Sequence, residues 1–111
     1  MKKLLFTLLF LSAFSVYAQK EASNWYFGDN AGINFNVDTN VVTPLNDGAL
    51  STVEGCTTIS DTDGNLQLYT DGSALYNANH QIMPNGFGLL GDVSSSQSAL
   101  VVPKPGDDSI Y

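Results

Sequence analysis

Three observations on this sequence predict an all-β fold. Short runs rich in β-branched and aromatic residues alternate apolar with polar: Ile33 and Phe35 against Asn34 and Asn36, Leu66 and Leu68 against Gln67. A period of two is the signal of a half-buried strand. Between the runs lie Gly, Asn and Asp clusters, namely Gly28-Asp29-Asn30, Asn46-Asp47-Gly48, Asp63-Gly64-Asn65, Asp71-Gly72 and Asn85-Gly86. These residue types tolerate the positive φ that tight hairpin turns require. Finally, the pattern recurs at a spacing of 41 to 42 residues, and a period of about 40 to 45 with several short strands per copy marks propeller blades. The expected architecture is a propeller-like repeat of four-stranded antiparallel blades, incomplete at about two repeats. A small β-sandwich with regular hairpins also spaces its turns evenly and is the alternative.

The chain opens on a leader, residues 1–18. Lys2-Lys3 give a positive start, 4–16 form an apolar stretch, and Val16-Tyr17-Ala18 fits a cleavage box before Gln19. Its 13 apolar-rich residues are too few for a bilayer span, which needs about 20. In the remaining region, 19–111, strands are expected at 25–27, 33–36, 40–43, 56–60, 66–70, 74–77 and 98–102. Trp25-Tyr26-Phe27, Ile33-Asn34-Phe35-Asn36 and Val41-Val42 return as Leu66-Gln67-Leu68, Ala74-Leu75-Tyr76-Asn77 and Ile82-Met83. The run from Ile59 through Asp61-Thr62-Asp63-Gly64-Asn65 returns 42 residues on as Val101 through Pro103-Lys104-Pro105-Gly106-Asp107. No window of helical length outside the leader carries a 3.6-residue apolar period. A single blade cannot bury both faces, so Trp25, Phe27, Phe35 and Tyr76 are expected to pack between neighbouring blades. The last copy stops at Tyr111 in mid-strand, so 19–111 is expected to be the N-terminal part of a longer chain.

Without the leader, Lys20 and Lys104 stand against eleven acids, a net charge of −9 with no arginine. Such a surface repels phosphate backbones and anionic lipid heads, which argues against nucleic-acid and electrostatic membrane partners. With one cysteine there is no internal disulfide. Cys56 reads as a small hydrophobe in a strand, since no cationic neighbour would lower its pKa.

Hard oxygens cluster at Asp61 and Asp63, which makes these two candidate ligands for Ca²⁺. The spacing departs from the EF-hand loop, because Gly64 is fourth rather than sixth and no Glu stands at the twelfth position. The plainer reading is a turn whose Asp side chains bond their own backbone. No other cofactor is expected. Catalysis has no positive support: there is no Gly-x-Ser-x-Gly elbow around Ser94-Ser95-Ser96, no P-loop, no dinucleotide fingerprint and no zinc spacing. His80 reads as a loop histidine. Among the aromatics, Tyr26 and Phe87 are the candidate exposed ligand contacts, Phe87 being flanked by Gly86 and Gly88.

Five motifs stand in order: Asn24-Trp25-Tyr26-Phe27-Gly28, Glu54-Gly55-Cys56-Thr57-Thr58-Ile59-Ser60-Asp61, Gly64-Asn65-Leu66-Gln67-Leu68-Tyr69-Thr70-Asp71-Gly72, Asn79-His80-Gln81-Ile82-Met83-Pro84-Asn85-Gly86 and Gln97-Ser98-Ala99-Leu100-Val101-Val102-Pro103-Lys104-Pro105-Gly106. Together they resemble the N-terminal propeller region of large secreted proteins of the type IX route, which end in a type B sorting domain related to gliding-motility proteins. The resemblance covers nearly all of 19–111 and implies export across the outer membrane by that machinery, to the medium or the cell surface. It carries no catalytic residues. The expected function is a secreted or cell-surface recognition or adhesion module, without catalysis in this segment, binding an extracellular glycan or protein. The alternatives are part of a polysaccharide-directed hydrolase and a structural spacer.

Overall fold

Hairpin turns organise the chain into two consecutive antiparallel meanders. The computed structural model describes residues 20–107 and 109–111, so the leader lies outside the described residues. β1 (Asn24–Tyr26), β2 (Gly32–Asn36) and β3 (Val41–Leu45) form a three-stranded sheet in that order. β4 (Thr57–Ser60), β5 (Leu66–Thr70), β6 (Ala74–Asn77) and β7 (Ile82–Phe87) form a four-stranded sheet, also in chain order. The all-β expectation holds, with no helix among the described residues.

Each hairpin has a local cause. In the β1–β2 loop, Asp29 and Asn30 sit at φ 59° and 63°, the two left-handed residues that match the strand twist. In the β2–β3 loop the Asn36 side-chain oxygen accepts the amides of Asp38 and Thr39, both at 3.1 Å, and Asn40 takes φ 54°. The β6–β7 loop uses the same device 41 residues later: Asn77 accepts the amides of Asn79 (2.9 Å) and Gln81 (3.1 Å), and His80 takes φ 59°. The β4–β5 turn is closed by Asp61 and by Gly64 at φ 90°, and the turn pairing Lys104 with Asp107 has Gly106 at φ 81°. The β2–β3 and β6–β7 hairpins thus share an Asn side chain that accepts the amides of its own turn.

Two strand expectations change. Residues 98–102 are not a strand, because no described strand edge pairs with them; Ser98 and Ala99 instead meet Gly55 and Thr57 through single side-chain bonds. Conversely, β7 runs the full length of Ile82–Phe87 through Pro84 and Gly86. Proline lacks the ladder N–H, which an edge strand tolerates, and the β6–β7 register shifts between Ala74 and Tyr76.

The core lies between the sheets. Tyr26, Leu50 and Tyr69 are its buried centre, with Leu45, Ala49, Cys56, Leu66 and Tyr76 packed around them. Tyr26 stacks on Tyr69 at 4.7 Å between ring centroids, and Tyr69 on Tyr76 at 5.3 Å. This reverses the expected facing of β1: Tyr26 is only 4 % exposed, whereas Trp25 is 47 % exposed and Phe27 also lies open. Alternation defines two faces without saying which turns inward. The register decides it, since Tyr26 lies opposite Gly32, where a Cβ would sit 3.0 Å from the Tyr26 ring. The space that Gly32 leaves is filled by the phenol.

Polar pins fasten β4 beside β1. Asn24 donates from Nδ2 to Ser60 Oγ (2.9 Å) and to the Gly64 carbonyl (3.0 Å), while its Oδ1 accepts Asn34 Nδ2 (2.9 Å). The Ser60 amide donates to the Glu21 carbonyl (2.8 Å), and the Tyr26 amide to Thr58 Oγ1 (2.9 Å).

Candidate functional site

The meanders bring two groups of chemistry-bearing residues together. One is a clasp in the core. The Ala49 amide donates to the Tyr69 hydroxyl oxygen (3.0 Å), which lies 2.9 Å from His80 Nδ1. The phenol oxygen can donate its proton to Nδ1 while accepting the Ala49 amide, an arrangement that pairs with a ring N–H at Nε2. That nitrogen faces Asp47 Oδ2 at 3.5 Å, and the Tyr26 hydroxyl donates to Asp47 Oδ1 (2.9 Å). The His80 ring lies edge-on to Tyr26 at 5.3 Å. Burial first, then the bond to Asp47, pushes the Tyr26 phenol far above its ordinary range. Tyr69 is also raised, chiefly by burial, against the opposing pull of the Ala49 amide. His80 is therefore a loop histidine by position and a core residue by contact. Every polar atom of the clasp is already engaged, so it is built to hold two sheets together.

The other group is a rim of loops at one end of both sheets. The amides of Val53 and Glu54 donate to the Val93 carbonyl (3.2 Å each), and that of Gly55 to Ser95 (2.9 Å). Leu89 donates to Ser73 (3.1 Å), Gly91 to Gly72 (2.9 Å), and Asn30 of the β1–β2 turn to Leu50 (3.1 Å). Side chains stiffen the same loops. Asp71 Oδ1 accepts the Ser73 amide and hydroxyl and the Ala74 amide at 2.7–3.0 Å. Burial works against the Asp71 anion, but these donors prevail and hold its carboxyl below the usual range. The Ser94 amide and hydroxyl likewise hold Asp92 low. On this backbone-tied rim Val53, Phe87, Leu89, Leu90 and Val93 are exposed, Phe87 at 69 % and Leu90 fully. The exposed acids Asp29, Glu54 and Asp92 stand among the same loops, and neither Lys20 nor Lys104 does.

Of the expected site residues, Phe87 lies open on this rim, and Tyr26 does not: it is buried in the clasp, for the reason of register given above. Asp61 serves its own turn. Its Oδ1 accepts the amides of Asp63 (2.9 Å) and Asn65 (2.8 Å), and its Oδ2 accepts Asn65 Nδ2 (3.0 Å) and Gln67 Nε2 (3.1 Å). Those donors, the Asn65 side chain foremost, hold the Asp61 carboxyl below the usual range. Asp63 points to solvent, and among the described residues no three His, Cys, Asp or Glu side chains are grouped to hold a metal ion. Cys56 packs against the core, and burial, aided by Asp71, pushes its thiol up, away from reactivity. Sequence reasoning missed the clasp entirely; the only trace of it was Asn77, which sets the turn that aims His80 inward.

Comparison with protein-family models, with curated proteins and with solved structures finds no match for this chain.

Proposed function

We propose that the chain is a secreted or cell-surface recognition and adhesion module, non-catalytic in this segment, whose sheets are stacked as propeller-like repeats. The rim carries this reading. Exposed Phe87 at the end of β7, with Leu89 and Leu90 on the backbone-tied loop that follows, makes a preorganised apolar surface, and preorganisation lowers the entropic cost of binding. A spacer has no use for such a surface, and monomeric proteins rarely leave one without a partner. The flanking acids favour a protein partner with apolar and cationic groups over an anionic glycan. Paired turns 41 residues apart, at Asn36 and Asn77, support the repeat. The resemblance to type IX cargo propellers supports export.

The test is binding of the full chain to immobilised arrays of cationic amphipathic peptides and of neutral and acidic glycans. Retention on the peptides, reduced at least tenfold in Phe87→Ala and Leu90→Ser with unchanged circular dichroism, is expected. Retention on glycans alone would move the ligand class. Binding indifferent to both substitutions would remove the rim from the function.

A further inference from the structure

We propose, resting on the recognition role assigned to the rim above, that Leu90 is its anchor: a knob that inserts between the apolar side chains of a basic amphipathic helix on the partner protein. Leu90 is fully exposed, yet its backbone is held on both sides. The Leu89 amide donates to the Ser73 carbonyl (3.1 Å) and the Gly91 amide to the Gly72 carbonyl (2.9 Å). The pedestal beneath is braced in turn. Gly72 is buried at φ 83°, its amide donates to Thr70 Oγ1 (2.9 Å), and that hydroxyl donates to the Ala74 carbonyl (2.6 Å). The buried Asp71 accepts the Ser73 and Ala74 amides. Gly91 lies so close to Gly72 that a Cβ would run into the Gly72 backbone, so the two segments touch main chain to main chain.

Single exposed leucines are common on protein surfaces. This one differs in its bracing and in the apolar company of Phe87 and Leu89, both also open to solvent. A braced side chain loses little freedom on binding, and apolar anchors that fill a partner's pocket dominate interface energies.

Hydrogen bonding within the rim selects the kind of partner. An added strand needs free main-chain groups to pair with, but the amides of Val53, Glu54, Gly55, Leu89 and Gly91 all donate to carbonyls of facing loops. Recognition there falls to side chains. An amphipathic helix meets that condition, because its main chain is satisfied internally. Its apolar stripe presents holes framed by four side chains, and leucine is a knob that such holes accept. Charge sets the helix's flanks. Asp92, two residues from Leu90, has its carboxylate fixed by the Ser94 amide (2.9 Å) and hydroxyl (2.8 Å), and Asp29 and Glu54 stand on the neighbouring loops. Lys or Arg beside the apolar stripe complements these acids, and added salt weakens the contact by screening.

Two synthetic peptides of one composition test this by fluorescence anisotropy against the full chain. One carries a leucine and alanine stripe at helical spacing, flanked by lysines; the other spaces the same residues with a period of two, the strand pattern. The helical peptide is expected to bind more tightly, and less so in salt. Leu90→Ala is expected to weaken it about tenfold or more, whereas Leu90→Met, which conserves volume, costs less than about threefold. Gly91→Ala keeps the leucine but lifts its loop off Gly72, and is expected to weaken binding with unchanged circular dichroism. Amide relaxation by NMR gives a check without any peptide: the Leu90 order parameter is expected near ~0.85, as in a strand, and a value below about 0.6 overturns the anchor. Equal binding of both peptides, or undiminished binding in Leu90→Ala or Gly91→Ala, overturns the anchor and leaves rim recognition standing. Binding of neither peptide overturns protein recognition by the rim, and the anchor with it.

Discussion

The Tyr69 hydroxyl and His80 Nδ1 lie 2.9 Å apart, and through this pair the β6–β7 turn is tied to the centre of the core. The same phenol oxygen accepts the Ala49 amide, so one atom joins the loop leaving the first sheet to the last hairpin of the second.

Tyr69→Phe removes that oxygen and leaves the Ala49 amide and His80 Nδ1 without partners. Partly buried groups stranded in this way cost about 1–3 kcal/mol. For a domain of this size that lowers Tm by roughly 4–8 °C per kcal/mol. Calorimetry of the variant is the check, and an unchanged Tm would mean that the clasp carries no stability.

Alkali should loosen the sheet stack. Tyr26 and Tyr69 are raised by burial, so their contribution is complete below the unfolded value of about 10 and is lost as pH rises toward their folded values. Chemical denaturation at successive pH values should show stability falling above about pH 10, less steeply in Tyr26→Phe.

In acid the sign is opposite for Asp71, whose carboxyl is lowered in the fold by Ser73 and Ala74 donors. Its contribution is present above the unfolded value near 3.9 and is lost as pH falls through the lower folded value. Asp71→Asn keeps an acceptor oxygen for the turn, so it is expected to flatten the acid limb of the stability profile while leaving neutral-pH circular dichroism unchanged.

Asn24→Ala is expected to be the most damaging polar substitution in the first sheet. It strands Ser60 Oγ and the Gly64 carbonyl and leaves Asn34 Nδ2 only its long bond to the Ser23 carbonyl (3.4 Å), at about 2–3 kcal/mol. A urea midpoint shift without a change in slope would confirm a loss confined to these bonds.

Much of this fold was legible in the sequence because it is local. Period-two runs located six of the seven strands, and Asn, Asp and Gly at the turns fixed the hairpins, since those side chains bond the adjacent backbone. What was illegible depended on registers and packing. Tyr26 turned inward because Gly32 lies opposite it, and His80 joined the core because the Asn77 turn aimed it there. β7 was obscured by Pro84, which only its edge position tolerates. At the candidate site, Phe87 between two glycines was visible as an exposed aromatic. Val53 and Val93 of the same rim meet through a long-range backbone bond, which no spacing rule announces.

The meander layout also sets an order of events in folding. Every strand pairs with its chain neighbour, so the sheets can assemble on the roughly 1–10 μs scale of hairpins. The Tyr26–Tyr69 stack joins residues 43 positions apart and must wait for that longer loop to close. In stopped-flow refolding, tyrosine fluorescence is expected to lag the far-ultraviolet signal. During that lag the chain would hold two formed sheets with their tyrosine faces still in water, and aggregation would compete with productive folding in that interval.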